Sequence, residues 1–218
     1  MSHALSLYVP ALKAALQCVA KEETRYYLNG VLVTANEAET IYVATDGHVL
    51  FACRRDREPG DRLAGSWIIP TDIVAKLKLP ARKANNRTVF EGAILSKAEG
   101  GALSIQCADG TAITFKPIDG CFPDWRRVVP NCPDREEDAK THNIQFDPAL
   151  LAKLWKAADI LDGRAPNMAR NGTGPALVHF ADENAFGIIM PQHSAEGTQK
   201  KRAPAWIKGP TETVAKAA

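Results

Sequence analysis

The chain has 218 residues, of which 45% are hydrophobic and 24% charged, and its formal net charge is +2. That length is enough to bury a real core in one large domain or two smaller ones, and the composition is that of a soluble globular protein. So small a charge does not by itself imply nucleic acid, and any basic surface must come from uneven placement.

The first element is a strand over Ser6–Val9 inside Leu7-Tyr8-Val9-Pro10-Ala11-Leu12, running through a proline into a helix from Pro10 to about Lys21. Proline suits the first helical turn, where its missing N–H costs nothing and its fixed φ fits. Leu12, Leu16 and Val19 fall on one helix face, with Lys13, Gln17 and Lys21 on another. Strands are predicted over Tyr26–Thr34, Thr40–Thr45 and Val49–Arg54, punctuated by Asn29-Gly30 and Asp46-Gly47. Arg55–Ser66, with Pro59-Gly60 and Gly65, reads as a surface connection.

The pattern then repeats. Trp67-Ile68-Ile69-Pro70 leads into a helix that buries Ile73, Val74 and Leu77 and stops near Pro80. From Lys76 to Arg87 there are cations at Lys76, Lys78, Arg82, Lys83 and Arg87 and no acid. Strands follow near Thr88–Leu95, Leu103–Cys107 and Thr111–Lys116, with Asp109-Gly110 fitting a hairpin turn. Asn131–Thr141 is polar, lacks large apolar residues and reads as a linker.

A third copy opens at Ile144-Gln145-Phe146-Asp147-Pro148, and its helix carries Leu150, Leu151, Leu154, Trp155, Ala158 and Leu161 on a regular stripe. A weak strand near Met168 precedes a hairpin of Ala176–Ala181 and Ala185–Met190 about Asp182-Glu183-Asn184. Ser194–Ala218, with Lys200, Lys201, Arg202, Lys208 and Lys216, loses all periodicity and reads as a mobile basic tail. The three β-α-β-β-β units predict an α+β fold with helices on one face of antiparallel sheets. Units that cannot cover their own apolar face must stack.

The five cysteines (Cys18, Cys53, Cys107, Cys121, Cys132) are widely spaced without C-x-x-C, which suits reduced thiols rather than a disulfide framework or a zinc site. No apolar run reaches the ~18–20 residues of a membrane span, and the N-terminus lacks signal-peptide features, so the expected location is cytoplasmic. Asp46-Gly47-His48 resembles an acid–base pair, and His142, His179 and His193 are conceivable ligands. Yet no histidine pair has i, i+4 spacing, and G-x-S-x-G, P-loop and G-x-G-x-x-G motifs are all missing. The expectation is no catalytic residues, no metal and no cofactor. If the three helices line one surface, Lys13, Lys21, Lys76, Lys78, Lys153 and Lys156 share it and can neutralise phosphates; equally, they are the lysines any exposed helix carries. Tyr26 and Tyr27 beside Arg25 either stack on unpaired bases or send one ring into the core, as strand alternation requires.

Three motifs carry a resemblance: Arg25-Tyr26-Tyr27-Leu28-Asn29-Gly30-Val31-Leu32, Val43-Ala44-Thr45-Asp46-Gly47-His48-Val49-Leu50 and Phe122-Pro123-Asp124-Trp125-Arg126-Arg127-Val128-Val129-Pro130. In this order they resemble the middle domain of the bacterial sliding clamp family, the beta subunit of DNA polymerase III. Residues from Ile144 to Met190-Pro191 resemble the second half of that family's last domain. The resemblance implies a clamp fold with a complete domain over 1–131, a linker over 132–141, a half-domain over 142–193 and a tail over 194–218. It also implies a homo-oligomeric ring around double-stranded DNA that tethers DNA polymerase and clamp loader through short peptide motifs, as a processivity factor. By position, Leu28, Thr45, Gly47, His48, Leu50, Pro123, Arg127, Val128, Ile188, Met190 and Pro191 correspond to the family's peptide pocket. Arg25, Tyr26 and Tyr27 correspond to a DNA-contacting loop, with Lys13, Lys76 and Lys78 as further DNA contacts. The family's first domain and the first half of its last are missing, Val49 stands where arginine is usual, and Thr71-Asp72 replaces a basic helix start. These departures give an alternative: an interaction module that binds clamp-partner peptides without encircling DNA.

Overall fold

The first strands of units one and two do not pair within their own unit; each crosses to the other. The computed structural model describes residues 4–79, 92–130, 144–171 and 173–192. In unit one, β1 (Ala4–Leu7) and α1 (Val9–Ala15) precede the meander β2 (Gly30–Ala35), β3 (Glu39–Thr45) and β4 (Val49–Asp56). Unit two follows with β5 (Gly65–Pro70), α2 (Thr71–Lys76), β6 (Ala93–Lys97), β7 (Leu103–Gln106) and β8 (Ala112–Phe115). Unit three has α3 (Pro148–Leu161), β9 (Asn167–Ala169), β10 (Ala176–His179) and β11 (Ala185–Ile189). The four-stranded sheet runs β1-β6-β7-β8 and the seven-stranded sheet β5-β2-β3-β4-β11-β10-β9, all antiparallel. Strand β1 thus extends unit two's meander, β5 extends unit one's, and unit three joins unit one last strand to last strand.

Both sheets send alternate residues into one apolar layer that also holds the helices. Leu5, Leu7, Leu95 and Ile105 face it from one sheet and Val31, Val33, Tyr42 and Phe51 from the other, with Leu12, Val74 and Leu154 between them. Removing that much apolar surface from water is the main term favouring the fold. Pro10 sits in the first turn of α1 and Pro148 in that of α3, where Asp147 also accepts a hydrogen bond from the Ala149 N–H at 2.7 Å.

Several boundaries differ from expectation. The first helix stops at Ala15, tightens into a 3-10 turn at Leu16–Cys18 and does not reach Lys21. The Ala20 N–H is taken by the Leu28 carbonyl at 3.1 Å, which draws the chain out of helical geometry. Tyr26–Leu28 is likewise a 3-10 turn and not the start of a strand, closed by Leu28 N to Arg25 O and Asn29 N to Tyr26 O. The connection between units shrinks to 57–64 because β4 runs on to Asp56, and Arg62 and Leu63 hydrogen-bond the Ala4 carbonyl. On α3 the buried stripe is Leu154, Ala157 and Ala158, facing α1. Trp155, expected on that stripe, is 41% exposed, one position round the helix from buried Leu154. The first strand of unit three makes a single bridge, Gln145 to Gln192. The expected linker, the basic tail and Arg82, Lys83 and Arg87 lie outside the described residues.

Candidate functional site

Strand register carries the candidate site. Thr45 on β3 lies opposite Leu50 on β4, which lies opposite Ile188 on β11, which lies opposite Leu177 on β10. The row is on the outer face of the seven-stranded sheet, where Leu32, Val43, Leu50, Ala52, Ile68 and Ile188 form a second apolar cluster. An apolar outer sheet face needs cover, and Phe122 and Trp125 pack onto it. Trp125 opens the 3-10 turn Trp125–Val128, with its ring 6.1 Å from that of Phe186 on β11. This holds the 122–128 segment, with exposed Pro123 and Arg127, over the sheet, and leaves Val128 49% exposed.

The end of β4 nearest this row is a tight turn. The Asp46 carboxylate accepts from the His48 and Val49 N–H groups at 2.8 Å each, and Thr45 Oγ1 donates to the Val49 carbonyl at 2.7 Å. Gly47 is exposed with φ +92°, and a Cβ there would come within 2.6 Å of Arg25 Nη1, so the turn requires glycine and Arg25 lies directly against it. His48 is exposed and its carbonyl accepts the Met190 N–H at 2.8 Å, tying the end of β11 to the same turn. Met190 is 42% exposed beside half-buried Pro191. Leu28 is buried, its N–H and C=O both used within the 20–28 turn. Thr45, Gly47, His48, Leu50, Ile188, Met190 and Pro191 are therefore drawn to one corner of one sheet face, with 123–128 held above that face.

Ion pairs fix the seam between units one and three. Lys153 on α3 reaches the Asp46 carboxylate. Burial pushes the Asp46 carboxyl up, but the Lys153 ammonium and the two backbone N–H groups outweigh it and hold it below its ordinary value. At the other end of β4, Arg55 pairs with Asp182, and Arg54 Nη2 donates to Asn184 Oδ1 at 3.1 Å. Sequence reading misses both contacts because Asp46 and Lys153 are 107 positions apart and Arg55 and Asp182 are 127 apart.

The candidate basic residues are more engaged than a helix pattern implies. Lys13 Nζ donates to the Ala75 carbonyl of α2 at 2.8 Å, and burial lowers its pKa. Lys76 pairs with Asp72 at 3.5 Å and Lys78 with Asp109 at 3.0 Å. Arg25 forms a two-pronged contact with Glu22, at 2.8 and 3.0 Å. Tyr26 is 53% exposed, while Tyr27 turns onto the outer cluster, edge-on to Tyr26 at 5.8 Å. The pair thus splits as the core reading of one ring expects, though through a 3-10 turn and not strand alternation. A cleft of about 610 Å³ lined by Leu32, Trp67, Ile118 and Phe122 opens beside the outer cluster but includes none of the candidate pocket residues. Among the described residues no group of three or more His, Cys, Asp or Glu side chains is placed to hold a metal, and no helix is long and apolar enough to cross a membrane.

Comparison with known proteins places this geometry. Residues 10–124 match the family model described as DNA polymerase III beta subunit, central domain. The chain is 35% identical over 122 residues to the beta sliding clamp of Salmonella typhimurium, covering 56% of this chain and 31% of that protein. It is 34% identical over 147 residues to the beta sliding clamp of Caulobacter vibrioides, covering 62% of this chain and 34% of that protein. The match thus spans about a third of the length of these curated relatives. A Pseudomonas aeruginosa sliding clamp solved with ligand shares the fold at a TM-score of 0.66 and 19% identity, over 88% of this chain and 66% of that one. A Bacillus subtilis sliding clamp does so at 0.64 and 17%, over 89% of this chain and 65% of that one.

Proposed function

The chain belongs to the DNA polymerase III beta subunit family, and on that premise we propose that it acts as a clamp-type processivity factor, holding duplex DNA loosely while tethering a polymerase or clamp loader by a short peptide. The observation that carries this reading is the corner where Leu50 faces Ile188 across the β4–β11 seam, with exposed Met190 just beyond Ile188 and Trp125 packed on the same face. An apolar floor with a polar margin of Thr45, His48 and Arg127 suits an extended peptide bearing leucine and an aromatic ring. DNA would be held by phosphate contacts alone, which give salt-dependent binding without base readout and so permit sliding. Arg25 borders the peptide corner, because it lies on Gly47. The domain layout of 1–131 and 142–193 and a ring of several copies belong to the same proposal.

A fluorescein-labelled leucine- and phenylalanine-containing peptide, titrated by anisotropy, tests the pocket. Val128→Asp and Met190→Asp change exposed side chains, so the fold should survive while affinity falls at least about tenfold, as for a desolvated anchor contact. Equal binding by both variants, or none by the intact chain, overturns the proposal. Retention on circular but not linear duplex tests encirclement. A second reading, peptide capture without encirclement, is favoured by the lysine contacts to Ala75, Asp72, Asp109 and Asp46, which use up positive charge. Equal loss from circular and linear DNA with peptide binding intact would select it.

A further inference from the structure

We propose that a second copy of this chain completes unit three, residues 144–146 of each copy pairing antiparallel with β9 of the other about a two-fold axis. The template is inside the molecule. Unit two offers two edges to unit one: β5 pairs with β2 over six register positions, and β6 receives β1 over four. Unit three reproduces unit two closely. Three residues beyond β8, the Ile118 N–H donates to the carbonyl of Ile68, three residues before α2. Three residues beyond β11, the Gln192 N–H donates to the carbonyl of Gln145, three residues before α3. Residues 144–146 therefore hold the pose of β5, and β9 holds that of β6. The far edge of each, which unit two uses to engage unit one, has no strand on it among the described residues.

The helix carries the same mark. The third and fourth residues of α1, Ala11 and Leu12, are buried, as are those of α2, Ile73 and Val74. Their equivalents in α3, Leu150 and Leu151, are only half-buried. The seventh residue of each sequence from the helix start (Ala15, Leu77 and Leu154) is buried in all three, so the reduced cover falls on the first turn of α3 and not along the whole helix.

Within this chain nothing between units two and three supplies that partner, because only residues 131–143 separate the described segments, against about fifty for a unit. A second unit three supplies both missing pieces at once. Antiparallel exchange of first strands is a two-fold relation, approximate between units one and two and exact between two copies, and such an interface closes on itself. Adding a strand to β9 continues the seven-stranded sheet and removes an open edge. Carrying over the β1–β6 register, in which Ser6 faces Ile94, sets Gln145 of one copy opposite Asn167 of the other, both exposed and polar as an outer-face pair should be. This pairing does not depend on the ring of the proposed function, because one self-closing contact joins two copies and encirclement would need a further contact.

Light scattering on the full chain at micromolar concentration should give twice the 23.6 kDa of one chain. In a Cys121→Ser, Cys132→Ser background, mild oxidation of mixed Gln145→Cys and Asn167→Cys chains should give a covalent dimer that neither variant gives alone. A monomeric mass, cross-linking as strong in either variant alone, or dimerisation only after removal of 193–218, which would mean that this segment occupies the edge, each overturns the inference. Monomers that still bind the peptide overturn this inference and the ring but leave the peptide pocket standing, whereas dimers that bind none overturn only the pocket.

Discussion

Lys153 on α3 and Asp46 in the β3–β4 turn form an ion pair that fastens the third unit to the turn carrying Gly47 and His48. The Asp46 side chain is 11% exposed and its other oxygen is used by backbone N–H groups, so the carboxylate both shapes the turn and anchors the helix. Peptide-corner geometry and inter-unit docking thus share one residue.

Lys153→Met should lower stability by about 1–2 kcal/mol at pH 7, between the values for exposed and buried pairs. Because the Asp46 pKa is depressed in the folded state, its contribution is present above the unfolded carboxyl value of about 4 and is lost as pH falls through the lowered one. Melting curves of both proteins should therefore differ by several degrees at pH 7 and converge as the pH falls through the lowered Asp46 value. A gap that persists undiminished in acid would mean that Lys153 acts by packing alone.

Gly187 on β11 lies where α3 crosses the sheet. A Cβ there would sit 2.8 Å from Leu154 Cδ2 and 3.3 Å from the Leu50 carbonyl. Gly187→Ala should cost about 1–3 kcal/mol by overpacking and should weaken peptide binding, since it pushes on both α3 and the Leu50–Ile188 seam. Chemical denaturation and the anisotropy titration read the two effects, and a variant of unchanged midpoint would refute the close packing.

Asp72 and Asp109 temper two of the candidate DNA-facing lysines. Asp109 is held at about 2, first by hydrogen bonds from Thr111 and then by Lys78, so it is charged wherever DNA binding is measured. Asp72→Asn with Asp109→Asn should tighten duplex binding. The slope of log K against log salt should steepen by up to about 0.9 for each lysine freed to meet a phosphate. An unchanged slope would remove Lys76 and Lys78 from the DNA-contacting surface.

Much of the architecture was legible in the sequence. Pro10, Pro70 and Pro148 mark the entry to all three helices, and Asp109-Gly110 closes the hairpin expected of it, with Cys107 N bonded to Thr111 O. Tyr26–Leu28 was not legible: two aromatics and a leucine fit an alternating strand as well as a 3-10 turn, and the choice rests on the Leu28 carbonyl capturing the Ala20 N–H. Trp155 was misplaced for a related reason, since helical spacing defines a stripe but not which edge of it a neighbour covers.

By itself the sequence determined the three β-α-β-β-β units, their apolar faces and the motifs of the family, because local propensity and periodicity act over a few residues. Tertiary structure decided which strand each unit lends to another, that Leu50 meets Ile188, and that Asp109 of the β7–β8 turn reaches Lys78 in an acid-free run of cations. Those outcomes depend on groups tens to more than a hundred positions apart or on edges left over once others are paired, and neither quantity is written in any local window of the chain.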